Sequence, residues 1–123
     1  MTQTRKDALQ ELLAKVGAGG KIQPFLFQDA FNNQNHVNCA GEAYYAYIGS
    51  LDDALDLHNA VLPGWSTDIS CKPFGMKPHP WHVRLSTDHT GYGNGMYKGA
   101  TDACPARAWL CAILKALISE YDE

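Results

Sequence analysis

The sequence lacks both a long hydrophobic run and an apolar leader. No apolar stretch approaches the roughly 20 residues that a membrane-spanning helix requires. Residues 1–7 lead into an amphipathic segment and not into an apolar one. Because such a start is not typical of a secretory signal, we expect a cytoplasmic protein that does not associate with membranes.

Cysteines are few, and no two of them form a CxxC pair. The chain has four, at Cys39, Cys71, Cys104 and Cys111. Cys104 and Cys111 are the closest pair, and on one helix with a rise of ~1.5 Å per residue they would lie about 10 Å apart. A disulfide requires Cα atoms within roughly 7 Å of each other. We therefore expect four free thiols.

Positive charge is also in short supply. The 10 Lys and Arg are outnumbered by 13 Asp and Glu, for a net charge of −3, whereas a dedicated nucleic-acid binder needs many cations to displace counterions from phosphates. Residues 71–115 are the exception, with Lys72, Lys77, Arg84, Lys98, Arg107 and Lys115. We interpret this segment as a mixed, solvated surface. A weak nucleic-acid interface in residues 71–115 remains an alternative.

The residues that are present are typical of one globular domain. The chain has 123 residues, of which 46% are hydrophobic and 19% are charged, and this length is common for a single domain. The sequence contains no low-complexity tract, internal repeat or recognisable linker. We predict one domain that spans residues 1–123.

Hydrophobic periodicity and capping residues predict three helices. The first covers residues 5–16, which carry one apolar stripe. The second follows Ser50, an N-cap residue, and places one row of side chains on a shared face: Leu51, Ala54, Leu55, His58, Val61 and Leu62. The third begins at Pro105, which suits a first helical position. Because residues 106–118 are apolar on nearly every side, we expect this helix to be largely buried.

Aromatic content and alternation predict the strands. Residues 43–48 hold three tyrosines, which favour strands. Residues 65–71 and 81–86 are further strands, and residues 97–100 a short edge strand. Residues 24–31 form a short helix or a strand. The elements together predict an α+β fold, in which a small, mostly antiparallel sheet of three to four strands packs with about three helices as an α/β sandwich.

The last helix also bears on oligomeric state. One face of a sheet covers only one side of a helix that is apolar all round, so something else must cover the other side. The first helix, residues 21–42 or the same helix of a second copy would each do so. Twofold dimers are the commonest soluble oligomers, and we predict a homodimer, with a monomer completed by residues 21–42 as the alternative.

Two segments resemble a known family. The first is SLDDAL at residues 50–55 followed by PGW at residues 63–65. The second begins at Thr101 and continues through PARA, LCA and KA between residues 105 and 116. Both resemble small phage and prophage proteins of the phage ABA-sandwich and NinX-like kind. The resemblance implies an α/β sandwich in the bacterial host cytoplasm and an accessory role through contacts with a host or phage protein. It implies no site residues.

A histidine-rich stretch is the first candidate for chemistry. His79 and His82 form an HxxH pair, with His89 and Cys71 nearby, and imidazole and thiolate are common zinc ligands. Pro80 forces an extended path, however, and residues three apart in a strand point to opposite faces. We favour exposed strand or turn histidines, and keep a small metal-binding protein or enzyme that uses His79, His82 and His89 as an alternative.

Cysteine and histidine also occur together near the middle of the chain. His36 and Cys39, with Glu42 following, would form half of a site, but a catalytic pair also needs an orienting group. Cys111 lies in the apolar last helix and is predicted to be a small core residue. His58 is predicted to be a core or interface histidine with its hydrogen bonds satisfied.

Glycine and aromatic residues supply the remaining candidates. The GYGNG segment at residues 91–95 lacks the strand, lysine and helix of a phosphate-binding loop, so we interpret it as a hairpin tip. Trp81, Arg84, Tyr92 and Tyr97 would offer a stacking platform for single-stranded nucleic acid, which the acidic composition disfavours.

These observations favour a non-enzymatic protein. We assign no catalytic, cofactor-binding or metal-ligating residue and expect no cofactor. The expected partner is a host or phage protein whose identity the sequence does not reveal.

Overall fold

In the described part of the chain, four helices come first, three strands follow, and a fifth helix comes last. A computed structural model describes residues 5–19, 21–31, 39–71, 81–86, 97–102 and 104–119. Within them lie α1 (Arg5–Ala18), α2 (Pro24–Phe31), α3 (Cys39–Tyr47), α4 (Leu51–Val61), β1 (Ser66–Cys71), β2 (Trp81–Ser86), β3 (Tyr97–Asp102) and α5 (Pro105–Ser119). The predicted α+β class is confirmed, with five helices in the described part of the chain where about three were expected.

The three strands form one antiparallel sheet in the order β1-β2-β3. Ile69 lies opposite Val83, which lies opposite Ala100. Val83 and Leu85 are buried on the inner face, whereas His82 and Arg84 alternate with them and are exposed on the outer face. The period of two that predicted β2 therefore reflects a half-exposed strand.

Helix α5 lies between the sheet and the other helices. It contacts β2 and β3 as well as α1, α3 and α4. Its buried side chains occur on every side of the helix: Ala106, Ala108, Trp109, Leu110, Cys111, Ala112, Ile113, Leu114, Ala116 and Leu117. The predicted burial of this helix is confirmed. Helices of the same chain, the first helix among them, cover the side away from the sheet. The burial of α5 therefore requires no second copy, and the homodimer stays a prediction.

In the segment predicted as a strand at residues 43–48, residues 43–47 are helical and Ile48 lies in the turn that follows. Cys39, Ala43, Ala46 and Tyr47 are all buried in α3, and this spacing places them on one helical face. Tyrosine favours strands only as far as its packing allows. Here α3 packs against α2, α4 and α5. This packing stabilises a helix with one buried face, and it outweighs the local preference of tyrosine for strands.

Helix α4 begins where predicted, but the side chains on its buried face are not all those that were predicted. Ser50 is the N-cap, and its side chain accepts a hydrogen bond from the Asp53 N–H. The buried face consists of Ala54, Leu57, His58 and Val61. Leu51 and Leu55, which were predicted on that face, are each 45% exposed. The apolar arc of α4 is wider than the surface its neighbours cover, so one row of leucines remains in solvent.

Candidate functional site

Exposed apolar side chains are concentrated in the stretch of sequence where α3 is followed by α4. Among the described residues, six large hydrophobic side chains are exposed, and five of them fall within residues 44–55: Tyr44, Tyr45, Ile48, Leu51 and Leu55. Scattered surface hydrophobics are ordinary, whereas exposed apolar side chains that adjoin one another are typical of interaction sites. Among these five, the rings of Tyr44 and Tyr45 are in direct contact. We call these five side chains the α3–α4 surface.

A tight reversal creates this surface. Gly49 has a φ of 118°, a conformation that L side chains rarely adopt. The Ser50 N–H then donates to the Tyr45 carbonyl oxygen at 2.9 Å, which closes the end of α3 just before α4 begins. The reversal leaves Ile48, the residue before the glycine, 57% exposed at the corner.

An apolar groove of about 340 Å³ adjoins the α3–α4 surface. It lies between α2 and α3 and is lined by Phe27, Gln28, Ala40, Gly41, Tyr44 and Tyr45. The Tyr44 ring meets the Phe27 ring edge to face at 5.6 Å, and the Tyr45 ring meets the Tyr44 ring at the same distance. A Cβ atom at Gly41 would meet nothing within 4 Å. The absence of a side chain at this position therefore helps to keep the groove open.

Arg107 of α5 holds the end of α3 in place. Its Nε donates to the Tyr47 carbonyl oxygen at 3.1 Å, and its guanidinium carbon lies 4.7 Å from the centre of the Tyr47 ring. A cation at a helix C-terminus interacts favourably with the helix dipole. The α3–α4 surface is thus attached to a buried helix and not to a loose loop.

Cys39 is a poor nucleophile in this arrangement. Burial raises the pKa of the Cys39 thiol, and the nearby Glu42 carboxylate raises that pKa further. The thiol therefore stays protonated at neutral pH, whereas a catalytic cysteine needs the thiolate. His36, the proposed second half of this pair, lies outside the described residues.

The described thiols differ in their access to solvent, which predicts an order of alkylation. Cys39 and Cys111 are buried, whereas Cys104 is partly exposed, and none of the three forms a disulfide. We expect iodoacetamide to modify Cys104 first, followed by Cys111 and Cys39, because burial blocks access and the raised pKa of Cys39 withholds its thiolate. Peptide mass spectrometry over time measures the order, and all thiols should react alike in denaturant. A Cys39 that reacts before Cys104 would contradict this placement.

The predicted histidine set is only partly described. His82 lies on the outer face of the sheet, where its ring is so close to β3 that a Cβ atom at Gly99 would be 3.2 Å from its Cε1 atom. His79, His89 and the side chain of Cys71 lie outside the part of the chain that the structure describes. Among the described side chains, no three His, Cys, Asp or Glu residues come together as metal ligands would. A metal site at His79, His82 and His89 stays a prediction.

The proposed stacking platform is not assembled by the described strands. Trp81 alternates with Arg84 across β2, so the two side chains point to opposite faces of the sheet, and the pairing of these two residues was wrong. Tyr92 and the side chain of Tyr97 fall outside the described positions. Arg84 is on the outer sheet face, whereas Arg107 and Lys115 belong to α5, which packs on the inner face. Lys72, Lys77 and the side chain of Lys98 lie outside the described part of the chain, so a weak nucleic-acid interface in residues 71–115 stays a prediction.

His58 is a buried core residue, as predicted. It is 3% exposed. Its Nε2 donates to the Trp65 carbonyl oxygen at 2.9 Å, and the Trp109 indole N–H donates to its Nδ1 at 3.3 Å. Both ring nitrogens are therefore used in joining α4 to the start of the sheet and to α5, which is a structural role.

None of the described helices has the length and apolar character needed to cross a membrane. No protein-family model, curated protein or solved structure matches this chain.

Proposed function

We propose that this chain is a phage- or prophage-type accessory protein that binds a host or phage protein in the bacterial cytoplasm. The α3–α4 surface is the proposed contact site. The observation that carries the proposal is the concentration of five exposed apolar side chains within residues 44–55. The phage setting rests on the resemblance of residues 50–65 and 101–116 to phage ABA-sandwich and NinX-like proteins.

The chemistry of the site favours binding over catalysis. The described residues that line the groove carry aromatic, small and amide side chains, and their polar groups, two tyrosine hydroxyls and one amide, suit hydrogen bonding to a bound partner. Tyrosine is one of the residue types that are enriched at protein interfaces and in their energetic centres. An apolar groove lined in part by the exposed Tyr44 and Tyr45 suits the docking of a partner's apolar side chain.

A Gly41→Leu substitution tests this function. The leucine side chain would enter open space, because a Cβ atom at Gly41 meets nothing within 4 Å, and leucine is a better helix former than glycine. We expect the fold to be kept and the groove to be filled. Affinity capture from bacteria that carry a phage should then recover at least about tenfold less of any partner that wild-type protein retains, which corresponds to about 1.4 kcal/mol.

Gly17→Leu is the matched control. Gly17 is also an exposed helical glycine with nothing within 4 Å of its Cβ position, but it lies on α1 and does not line the groove. This variant should retain partners as well as wild-type protein does. If Gly41→Leu and Gly17→Leu recover equal amounts of every partner, the groove is not the contact site and the proposal fails.

A further inference from the structure

We propose that the occupant of the α3–α4 surface is a cationic amphipathic helix of the partner protein. This inference rests on the proposed function and goes further, because it specifies the chemistry of the partner. In this arrangement apolar side chains of the partner enter the groove at Gly41 and Tyr44, and its Lys or Arg side chains pair with Asp52 and Asp56.

The charge of this part of the chain is of one sign. Residues 22–71 contain no Lys and no Arg, yet they contain Asp29, Glu42, Asp52, Asp53, Asp56 and Asp68. Asp29 on α2 and Asp52 and Asp56 on α4 are exposed, whereas one oxygen of the Glu42 carboxylate on α3 is buried. Arg107 of α5, whose guanidinium lies against Tyr47, offsets part of this charge at the end of α3. The exposed carboxylates of α4 create a field that attracts a partner of the opposite sign and repels others.

Helix α4 presents acidic and apolar residues side by side. Leu51 and Leu55 are exposed one turn apart, and Asp52 and Asp56, which follow them in sequence, are also exposed one turn apart. Residues at i and i+4 are about 6 Å apart along a helix. A partner helix with apolar residues in one row and cations in the next would match both rows. Asp53 contributes less, because the Ser50 hydroxyl donates to its carboxylate at 2.6 Å.

The backbone of the site favours a helical occupant over an added strand. The surface is built from α3 and α4, whose N–H and C=O groups are used within the helices, so it offers no strand edge for pairing. An occupant of an apolar groove must then satisfy its own backbone hydrogen bonds, which a helix does. Docking of an amphipathic helix into a groove between helices is a common recognition mode.

The same charges disfavour the other occupants. A second copy on a twofold axis would apply the same surface to itself, and Asp52 and Asp56 of both copies would then meet like charges. Anionic lipid surfaces and nucleic acids would be repelled for the same reason. A cationic protein segment meets no such repulsion.

A pair of matched peptides tests the inference on the full chain. The first is a labelled 18-residue peptide with leucine at the i, i+3, i+4 and i+7 positions and lysine elsewhere; the second has glutamate in place of every lysine. In fluorescence anisotropy at low salt, we expect the lysine peptide to bind at least about tenfold more tightly. Binding should weaken as salt rises, because screening reduces interactions between exposed charges.

Substitutions in the protein identify the contacts. The double variant Asp52→Asn with Asp56→Asn should weaken binding of the lysine peptide at least about threefold and reduce its salt dependence, and Gly41→Leu should weaken binding at least about tenfold. Asp68→Asn is the matched control, because Asp68 lies on β1 and pairs in register with Arg84. This control should leave binding unchanged.

Three results would overturn the inference. The first is equal or absent binding of the two peptides, and the second is an unchanged affinity in the double variant. The third is sedimentation that gives about 27 kDa, twice the 13.5 kDa of one chain, for wild type but not for Gly41→Leu, since a second copy would then be the occupant. A captured partner that is lost with Gly41→Leu but insensitive to salt and to the double variant would leave the proposed function standing while this inference fails.

Discussion

An aspartate in place of Ile113 is expected to unfold the domain. Ile113 is fully buried near the middle of α5, the helix that contacts the sheet on one side and α1, α3 and α4 on the other. The substitution removes a buried aliphatic side chain, at about 2–5 kcal/mol, and buries an unpaired carboxylate, which adds several kcal/mol more. The sum approaches or exceeds the roughly 5–15 kcal/mol that stabilise a typical domain. Leu110→Asp and Leu117→Asp should act in the same way.

Circular dichroism and thermal melting measure this effect. Lys115→Asp is the control, because it places the same residue in the same helix at an exposed position and loses only the hydrogen bond from Lys115 Nζ to the Gly99 carbonyl oxygen. The control should remain folded, with a loss of about 1 kcal/mol. Wild-type melting temperatures in all three core variants would show that α5 is not the centre of the core.

A His58→Ala substitution is expected to lower the free energy of unfolding by about 2–4 kcal/mol. It removes a side chain that is 3% exposed and leaves a cavity among α4, β1 and α5. It also removes the partners of the Trp65 carbonyl oxygen and the Trp109 indole N–H. A buried polar group that loses its partner costs about 1–3 kcal/mol.

A double-mutant cycle separates the hydrogen bond from the cavity. Trp109→Phe removes the indole N–H, so His58→Ala should cost about 1 kcal/mol less in that background than in wild type. Urea denaturation measures all four free energies, and Asn59→Ala, at the neighbouring exposed position of α4, should change stability by less than about 0.5 kcal/mol. Additive effects of His58→Ala and Trp109→Phe would mean that the hydrogen bond contributes nothing to stability.

The candidate site could not be predicted from the sequence, and Tyr44 and Tyr45 show why. Three tyrosines in six residues predict a strand by local preference, and a strand would send these neighbours to opposite faces. In the helix α3 both are exposed, while Ala43, Ala46 and Tyr47 are buried. Both tyrosines are exposed because α3 is a helix. The local preference of tyrosine predicted a strand, so the sequence did not predict this exposure.

Leu51 and Leu55 were missed for a second reason. The spacing of apolar residues in α4 predicts one apolar face that includes Leu51, Leu55 and Val61. It does not predict how much of that face a neighbouring element covers. Helix α4 packs against α3 and α5 through Ala54, Leu57, His58 and Val61. Only the position of those neighbours left the two leucines in solvent.

The sequence by itself determined the features that depend on nearby residues. The Ser50 cap, the alternation of β2 and the apolar circumference of α5 each arise from residues a few positions apart, and the antiparallel sheet and α+β class follow from them. The tertiary structure alone decided that residues 43–47 are helical, that α1, α3 and α4 cover α5 within one chain, and that an apolar groove opens at Gly41. These outcomes depend on which surfaces meet across long separations in sequence, where packing energy outweighs the smaller local preferences.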